Sequence, residues 1–492
     1  MKVMDEGLRE KTVTQRLSAR LVFTVFSCTL GASFQFGFST GFVNNVEPYM
    51  KRYLMDVGVV EEGADARFMS LWSIAVGGFA IGGVVSTFVF PKVAQMIGRK
   101  AAILSTTIFC FVSSYLIAFP TSQADLIIGR IMVGMSAGGA CAVVPAYVTE
   151  IAPVELRGTL GTVHQLLITI GIFVAQLVST AEFGLFGSSE KWQCCLLIPC
   201  ACALIMLSTL PFCEDSPSYL FHKFGEERAR NALSWFRPNG QSKNYHIDED
   251  IEKIKEEQAL SQKDAFLNDI FHDPLLWRPL VVATIVNLSM QFSGIDAIFY
   301  YSTYVFHRAG VSERHAQVYT TIISFANVVI TIPAMLLMDV AGRKMIQTVG
   351  LSGMCTSFVV MTIALVAELH ILSLVAMMAS ISCFAMGPGC IAWFITSELM
   401  PLHARPVATT VALTVNWSAN LFIAGVFPRI EHMLGNYAFA TFAASTACLA
   451  LFTVVHLPET KGKTITEVRE WFLRHSLQDY SKIDGAQSSY CN

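Results

Sequence analysis

The chain has 492 residues, of which 53% are apolar and 14% charged, with a formal net charge of -3. Ordinary soluble domains are roughly a quarter charged, and a soluble fold of this length has too little interior for so much apolar side chain, so a bilayer must solvate much of it. The net charge says little about partners, and with no basic stripe or RNA-binding motif no nucleic-acid partner is expected.

The first twenty residues carry Lys2, Arg9, Lys11, Arg16 and Arg20, and the apolar stretch behind them shows no convincing cleavage site, so it reads as a retained first helix. Apolar runs of spanning length fall near 21–43, 69–90, 101–119, 126–147, 159–180 and 192–212, then near 279–303, 318–338, 346–366, 371–396, 408–427 and 437–457. This pattern predicts an all-α membrane protein of twelve transmembrane helices. It divides into a cytoplasmic N-terminus (1–20), an N-terminal six-helix bundle (21–212), a loop with short helices (213–278), a C-terminal six-helix bundle (279–457) and a tail (458–492). Outside the central loop, seventeen Lys and Arg fall on the side of the termini against eight on the other. The positive-inside rule therefore puts both termini in the cytoplasm. In the loop, Glu249 with Lys253 and Glu252 with Lys255 stand at helical spacing and suggest short solvated helices.

Cysteines are scattered through the apolar runs with no CxxC pair, and read as small buried hydrophobes. No metal cluster, phosphate loop or nucleophile with its base is present, so neither an enzyme nor a cofactor is expected. The sequons at Asn287 and Asn416 lie inside spans, out of reach of glycosylation.

The chain repeats itself. Gly98-Arg99-Lys100 returns as Gly342-Arg343-Lys344, Glu150 and Arg157 return as Glu398 and Arg405, Asp215-Ser216 as Glu459-Thr460, and Gln35-Phe36 as Gln291-Phe292. Several matches in order at nearly one offset imply two homologous halves, as in the major facilitator transporters. Charges at membrane helix ends need partners. Arg99, Glu150 and Arg157 in the first half, and Asp339, Arg343, Glu398 and Arg405 in the second, are candidates for ion pairs that clasp the halves at the cytoplasmic end. The other reading is that they only set topology.

Helix interruptions at Gly294 and at Gly387-Pro388-Gly389 mark where a cavity forms. Polar groups gather at the same depth: Gln165, Asn287, Gln291, Asp296, Asn327, Asn416 and Asn420, with Trp393 and Trp417 near. Amides donate to and accept from hydroxyls, and a ring covers the C–H face of a sugar. No Arg or Lys lies mid-span among them, so the ligand expected is a small neutral sugar, with lipid as the surrounding partner and protein partners unspecified. Any one of these amides is otherwise an interhelical hydrogen bond. His164 reads as a packing residue before a proton relay.

The motifs resemble those of the facilitative glucose transporters of the sugar porter family. They are Gln35-Phe36-Gly37 with Thr40-Gly41, Gly129-Arg130, Pro145 through Glu150 with Arg157-Gly158, His164-Gln165, Pro211-Phe212-Cys213, Gln291 to Ile295, Phe299 to Ser302, Gly387-Pro388-Gly389 with Trp393-Phe394, Asn416-Trp417, and Pro458 to Gly462. The resemblance covers about residues 21–465 and implies a two-bundle rocker that moves a hexose, glucose first, across the plasma membrane as a uniporter. It further implies sugar contacts at Gln165, Gln291, Asn327, Trp393 and Asn416, with Asp296 beside them, and an outer gate at Tyr300 and Tyr301. The chain departs from the family pattern at Met290, Asp296 and Ala385, and less sharply at Gln95, Ala392 and Ser218. A mid-membrane carboxylate costs roughly 2.5–3.5 kcal/mol, so Asp296 offers the alternative of a proton-coupled sugar or polyol symporter, although Ser39 holds the first-span position that is acidic in proton-coupled relatives. A non-transporting sugar sensor is the remaining alternative.

Overall fold

The computed structural model describes residues 17–60, 65–183, 185–237, 247–259, 267–298 and 313–475, and these are helical apart from short connections. Helices are what a bilayer demands, because each satisfies its own backbone donors and acceptors. The first crossing starts as α1 (Ala19–Cys28), capped by the Ser18 hydroxyl, passes through a π-helical turn at Thr29–Ser33 and continues as α2 (Phe34–Asp56). It is followed by α3 (Asp65–Ile97), α4 (Arg99–Ala118), α5 (Gln123–Ile151), α6 (Arg157–Ser179) and α7 (Leu197–Thr209). The loop folds into α8 (Pro217–Phe224), α9 (Glu226–Phe236), α10 (Ile247–Ala259) and α11 (Leu267–His272). Then come α12 (Pro274–Phe292), α13 (Glu313–Ala341), α14 (Arg343–Val366), α15 (His370–Met386), α16 (Pro388–Leu399), α17 (Arg405–Leu434) and α18 (Ala438–His456). Residues 465–475 form a last helix, α19.

Eleven stretches are long and apolar enough to cross a membrane, and the last, Arg405–His456, holds both α17 and α18 around Gly435. The described residues thus make twelve crossings. Several reach beyond the apolar runs, α3 by about two turns to Ile97 for instance, because the helix continues into the polar layer before Gly98 ends it.

Small residues let the helices approach. A Cβ on Gly134 would lie 2.0 Å from the Phe79 carbonyl, locking α5 to α3, and one on Gly37 would lie 1.9 Å from the Ile168 carbonyl, locking α2 to α6. In the second half α14 packs on α15 and α18, and α12 on α16 and α17. Between the halves, α3 meets α17 and α6 meets α13. A shift of six crossings exchanges these two contacts, the pseudo-twofold relation that parallel repeats produce.

Candidate functional site

The tenth crossing breaks between Met386 and Pro388, and the seventh turns at Gly294, whose φ of 80° places it in the left-handed region. These breaks aim side chains at the space between the halves. Gln165 on α6 accepts a hydrogen bond from Trp393 Nε1 on α16 at 2.8 Å, tying the two halves at mid-depth. On the second half a continuous polar chain runs along α12 and α17. Asn416 Nδ2 donates to the Asn287 carbonyl at 2.9 Å, and Gln291 Nε2 donates to Asn416 Oδ1 at 3.1 Å. Asn420 Nδ2 donates to Gln291 Oε1 at 3.3 Å and to Asp296 Oδ2 at 2.7 Å. Met290 closes the chain's flank, with its sulfur 3.9 Å from Asn416 Nδ2.

The first half faces this chain with rings. Phe36 lies 6.0 Å from Trp393 and 5.7 Å from Trp417, and Phe79 meets Trp417 edge-on at 5.4 Å. The buried polar atoms without a partner include the acceptor Asn327 Oδ1 and the donor Trp417 Nε1. Buried polar groups are ordinarily hydrogen-bonded, so an orphan acceptor and an orphan donor on crossings of the second half are open to a ligand with hydroxyls. His164 stands behind Trp393, its Nδ1 2.7 Å from the Ser33 hydroxyl and its ring edge-on to the indole. Phe36 and Phe79 were not read from the sequence as part of this centre, whereas Trp417 was read as a ring near it. Asn420 was visible as a polar group in a span, but its linking position was not.

At the end that carries the termini, each half builds the same turn. Gly98 and Gly342 have φ of 98° and 89°, and a Cβ on either would strike the carboxylate of Asp215 or Glu459. Asp215 accepts the backbone N–H of Arg99 and Lys100, and Glu459 those of Arg343 and Lys344, at 2.9–3.3 Å. Arg99 pairs with Glu150 at 2.9 Å and Arg343 with Glu398 at 2.7 Å; Ser216 and Thr460 donate to those same glutamates. Contacts across the halves then shut this end. Arg405 reaches Glu150 at 3.3 Å, Asp339 accepts the N–H of Gly158 and Thr159 at 3.1 and 2.7 Å while also pairing with Arg343, and the hydroxyls of Thr149 and Ser397 meet at 3.2 Å. Arg157 lies in the same cluster but forms no ion pair among the described residues, and its Nε is buried without a partner. Tyr300 and Tyr301, expected at an outer gate, lie outside the described residues.

Two homologous helix bundles, a polar and aromatic centre between them, and charged contacts that shut one end define a membrane transporter of the major facilitator class. Residues 24–472 match the family described as sugar (and other) transporter, and the chain belongs to that family. It is 33% identical over 479 residues to the rat facilitated glucose transporter member 3 of solute carrier family 2, covering 93% of this chain and 94% of that protein. With the human member 4 it shares 34% over 481 residues, 94% of this chain and 92% of that one. Among solved structures, the proton:xylose symporter XylE bound to 6-bromo-6-deoxy-D-glucose shares the fold with a TM-score of 0.82 at 24% identity, over 92% of this chain and 99% of that one. The inward-open xylose transporter XylE of E. coli does so with a TM-score of 0.68 at 23% identity, over 92% and 99%. The curated relatives named here are transporters and not enzymes, in line with the chemistry read from the sequence.

Proposed function

We propose that this protein carries a hexose, glucose in the first instance, down its gradient across the plasma membrane by exposing the central site to each side in turn, with both termini in the cytoplasm. The observation that carries the reading is the uncharged hydrogen-bonding surface at mid-depth. Gln165 and Trp393 join the halves there, and Gln291, Asn416, Asn327 and Trp417 offer both donors and acceptors to hydroxyls. Names of the relatives support glucose as the first substrate to try, and the excess of Lys and Arg on the terminal side supports the orientation. A millimolar site is worth only about 4 kcal/mol, which three or four net hydrogen bonds of roughly 1 kcal/mol each supply. The rings of Phe36, Phe79, Trp393 and Trp417 cover the sugar's apolar face. Opening the terminal end requires breaking Arg405–Glu150 and freeing the Asp339 contacts, so these residues act as the inner latch.

Asp296 favours one second reading. It ends the polar chain with a single hydrogen-bond partner, Asn420, and forms no ion pair among the described residues, so a proton could travel with the sugar. Uptake of labelled hexoses into proteoliposomes, with and without a proton gradient, separates the two. Saturable glucose uptake indifferent to the gradient, and retained within about threefold in Asp296→Asn, establishes the facilitator. Accumulation driven by the gradient and lost in that variant replaces it with a symporter. Absence of any hexose uptake by folded protein overturns both.

A further inference from the structure

The two halves use the same residues at the terminal end but do not complete the same contacts. Arg405 crosses to Glu150, and the repeat maps Arg405 onto Arg157 and Glu150 onto Glu398. The equivalent pair, Arg157 with Glu398, is not formed, although Glu398 is held by Arg343 and Thr460 just as Glu150 is held by Arg99 and Ser216. Arg157 instead faces a cavity between the halves and the loop, together with Arg237, Lys253 and Arg405.

We propose that this cavity binds a phosphate-bearing anion and that the bound anion holds the terminal end shut. The carboxylates that line it, Glu150, Asp250 and Glu398, already have cations: Arg99 and Arg405, Arg237, and Arg343 respectively. Arg157 and Lys253 are left over, with no ion pair among the described residues. Two of the arginines that line the cavity, Arg405 and Arg157, each have a buried Nε without an acceptor, and Arg405 is only 8% exposed. Orphan charged donors need acceptors, and an anion with several oxygens meets both. Size narrows the choice. The cavity offers about 40 Å³ open to water, room for roughly three or four waters at about 10–15 Å³ each, which suits one phosphate group and is too small for a hexose. Placement supplies the consequence. Arg157 belongs to the first half, Arg405 to the second and Lys253 to α10 of the loop, so one anion would bridge all three across the seam that has to open.

The test reconstitutes the full chain in phosphatidylcholine vesicles and measures hexose uptake against inorganic phosphate present on both faces. Chloride serves as control at constant ionic strength, which removes general screening. Uptake should fall several-fold as phosphate rises, with chloride inert. Lys253→Gln should leave uptake without phosphate unchanged and raise the half-inhibiting phosphate concentration about tenfold, the worth of one charge-assisted contact. In a phosphate-free arm, vesicles doped with phosphatidic acid show whether a lipid headgroup supplies the same chemistry. Slowing by the lipid assigns the site to headgroups, and slowing by the free ion alone assigns it to soluble phosphate. The inference rests on the transport reading only for its consequence. Phosphate should also raise the thermal midpoint of the detergent-solubilised protein, and Lys253→Gln should reduce that shift even if no hexose is carried. Equal responses in parent and Lys253→Gln, or no response to either source, overturn the proposal.

Discussion

The two halves are nearly identical at the terminal end and unlike in the centre. At the end, Gly98 and Gly342, Asp215 and Glu459, and Glu150 and Glu398 build two copies of one turn, each with an arginine buried against a glutamate. In the centre, the second half supplies the whole amide chain from Asn287 to Asp296, while the first half answers with rings and Gln165. Even Gln35, the repeat counterpart of Gln291, turns inward: it accepts from Ser136 and sits 3.5 Å from Ser39, all within its own half. A duplicated helix bundle thus keeps its latch in both copies, where symmetry lets each half grip the other. The centre has diverged, and under the proposed function that divergence fits an asymmetric solute, which two copies of one surface would not match.

The largest expected effect tests how alike the latches are. Glu150 is the ion-pair partner of both Arg99 and Arg405, whereas Arg343 keeps Asp339 if Glu398 is lost. Removing one partner from a buried pair costs about 3–5 kcal/mol. Glu150→Gln should therefore lower unfolding stability in detergent by about that much, and Glu398→Gln by roughly half. Equal losses would mean that Asp339 contributes nothing to holding Arg343.

The centre is tested by substituting the repeat-related glutamines. Gln291 bonds to Asn416 and Asn420, and in the proposed site its loss removes a sugar contact together with the residue that orders its neighbours. Gln291→Ala should raise the hexose KM about tenfold, close to 1.4 kcal/mol. Gln35→Ala should lower the yield of folded protein while shifting KM less than about twofold. Comparable KM values for the two variants would show that both halves contact the sugar alike.

How much of this could be read from the chain depends on distance along it. The twelve crossings were legible because bilayer thickness sets the length of an apolar run, and the halves because Gly98 and Gly342 each need a conformation that marks the turn in sequence. The central amides were legible because polar groups at membrane depth are scarce. Their order was not, since whether Asn420 reaches Gln291, Asp296 or neither depends on how α12 and α17 rotate against each other. The hydroxyl pair Thr149 and Ser397 adjoins Glu150 and Glu398 in sequence and shares their offset, yet threonine and serine are too common in membrane helices to attract notice. Arg157 shows the limit most clearly. Its repeat partner forms a cross-half pair and it does not, although both glutamates hold the equivalent arginine of their own half, so the repeat in the sequence does not reveal the difference.

The smallest expected effect separates the two turn carboxylates. Asp215 is held above the ordinary aspartate range by burial, even though the N–H groups of Ser216 and Lys100 and the charges of Arg99 and Lys100 pull the other way. An acid whose folded pKa is raised gives up stability as pH climbs past its unfolded value, since the unfolded chain ionises more readily. Asp215→Asn should therefore stabilise the protein slightly at neutral pH. That gain should shrink toward zero as pH falls through the carboxylate range, where both states of the parent become protonated. Glu459 is placed alike, taking N–H groups from Arg343, Lys344 and Lys461 at the positive start of α14 as Asp215 takes them from Arg99, Lys100 and Ser216 at the start of α4, and such a helix-start contact is by itself favourable. Glu459→Gln should cost about 0.3–1 kcal/mol instead. Thermal midpoints of the two variants between pH 4 and 8 decide the matter, and a loss for Asp215→Asn at neutral pH would mean that its N–H donors outweigh its burial.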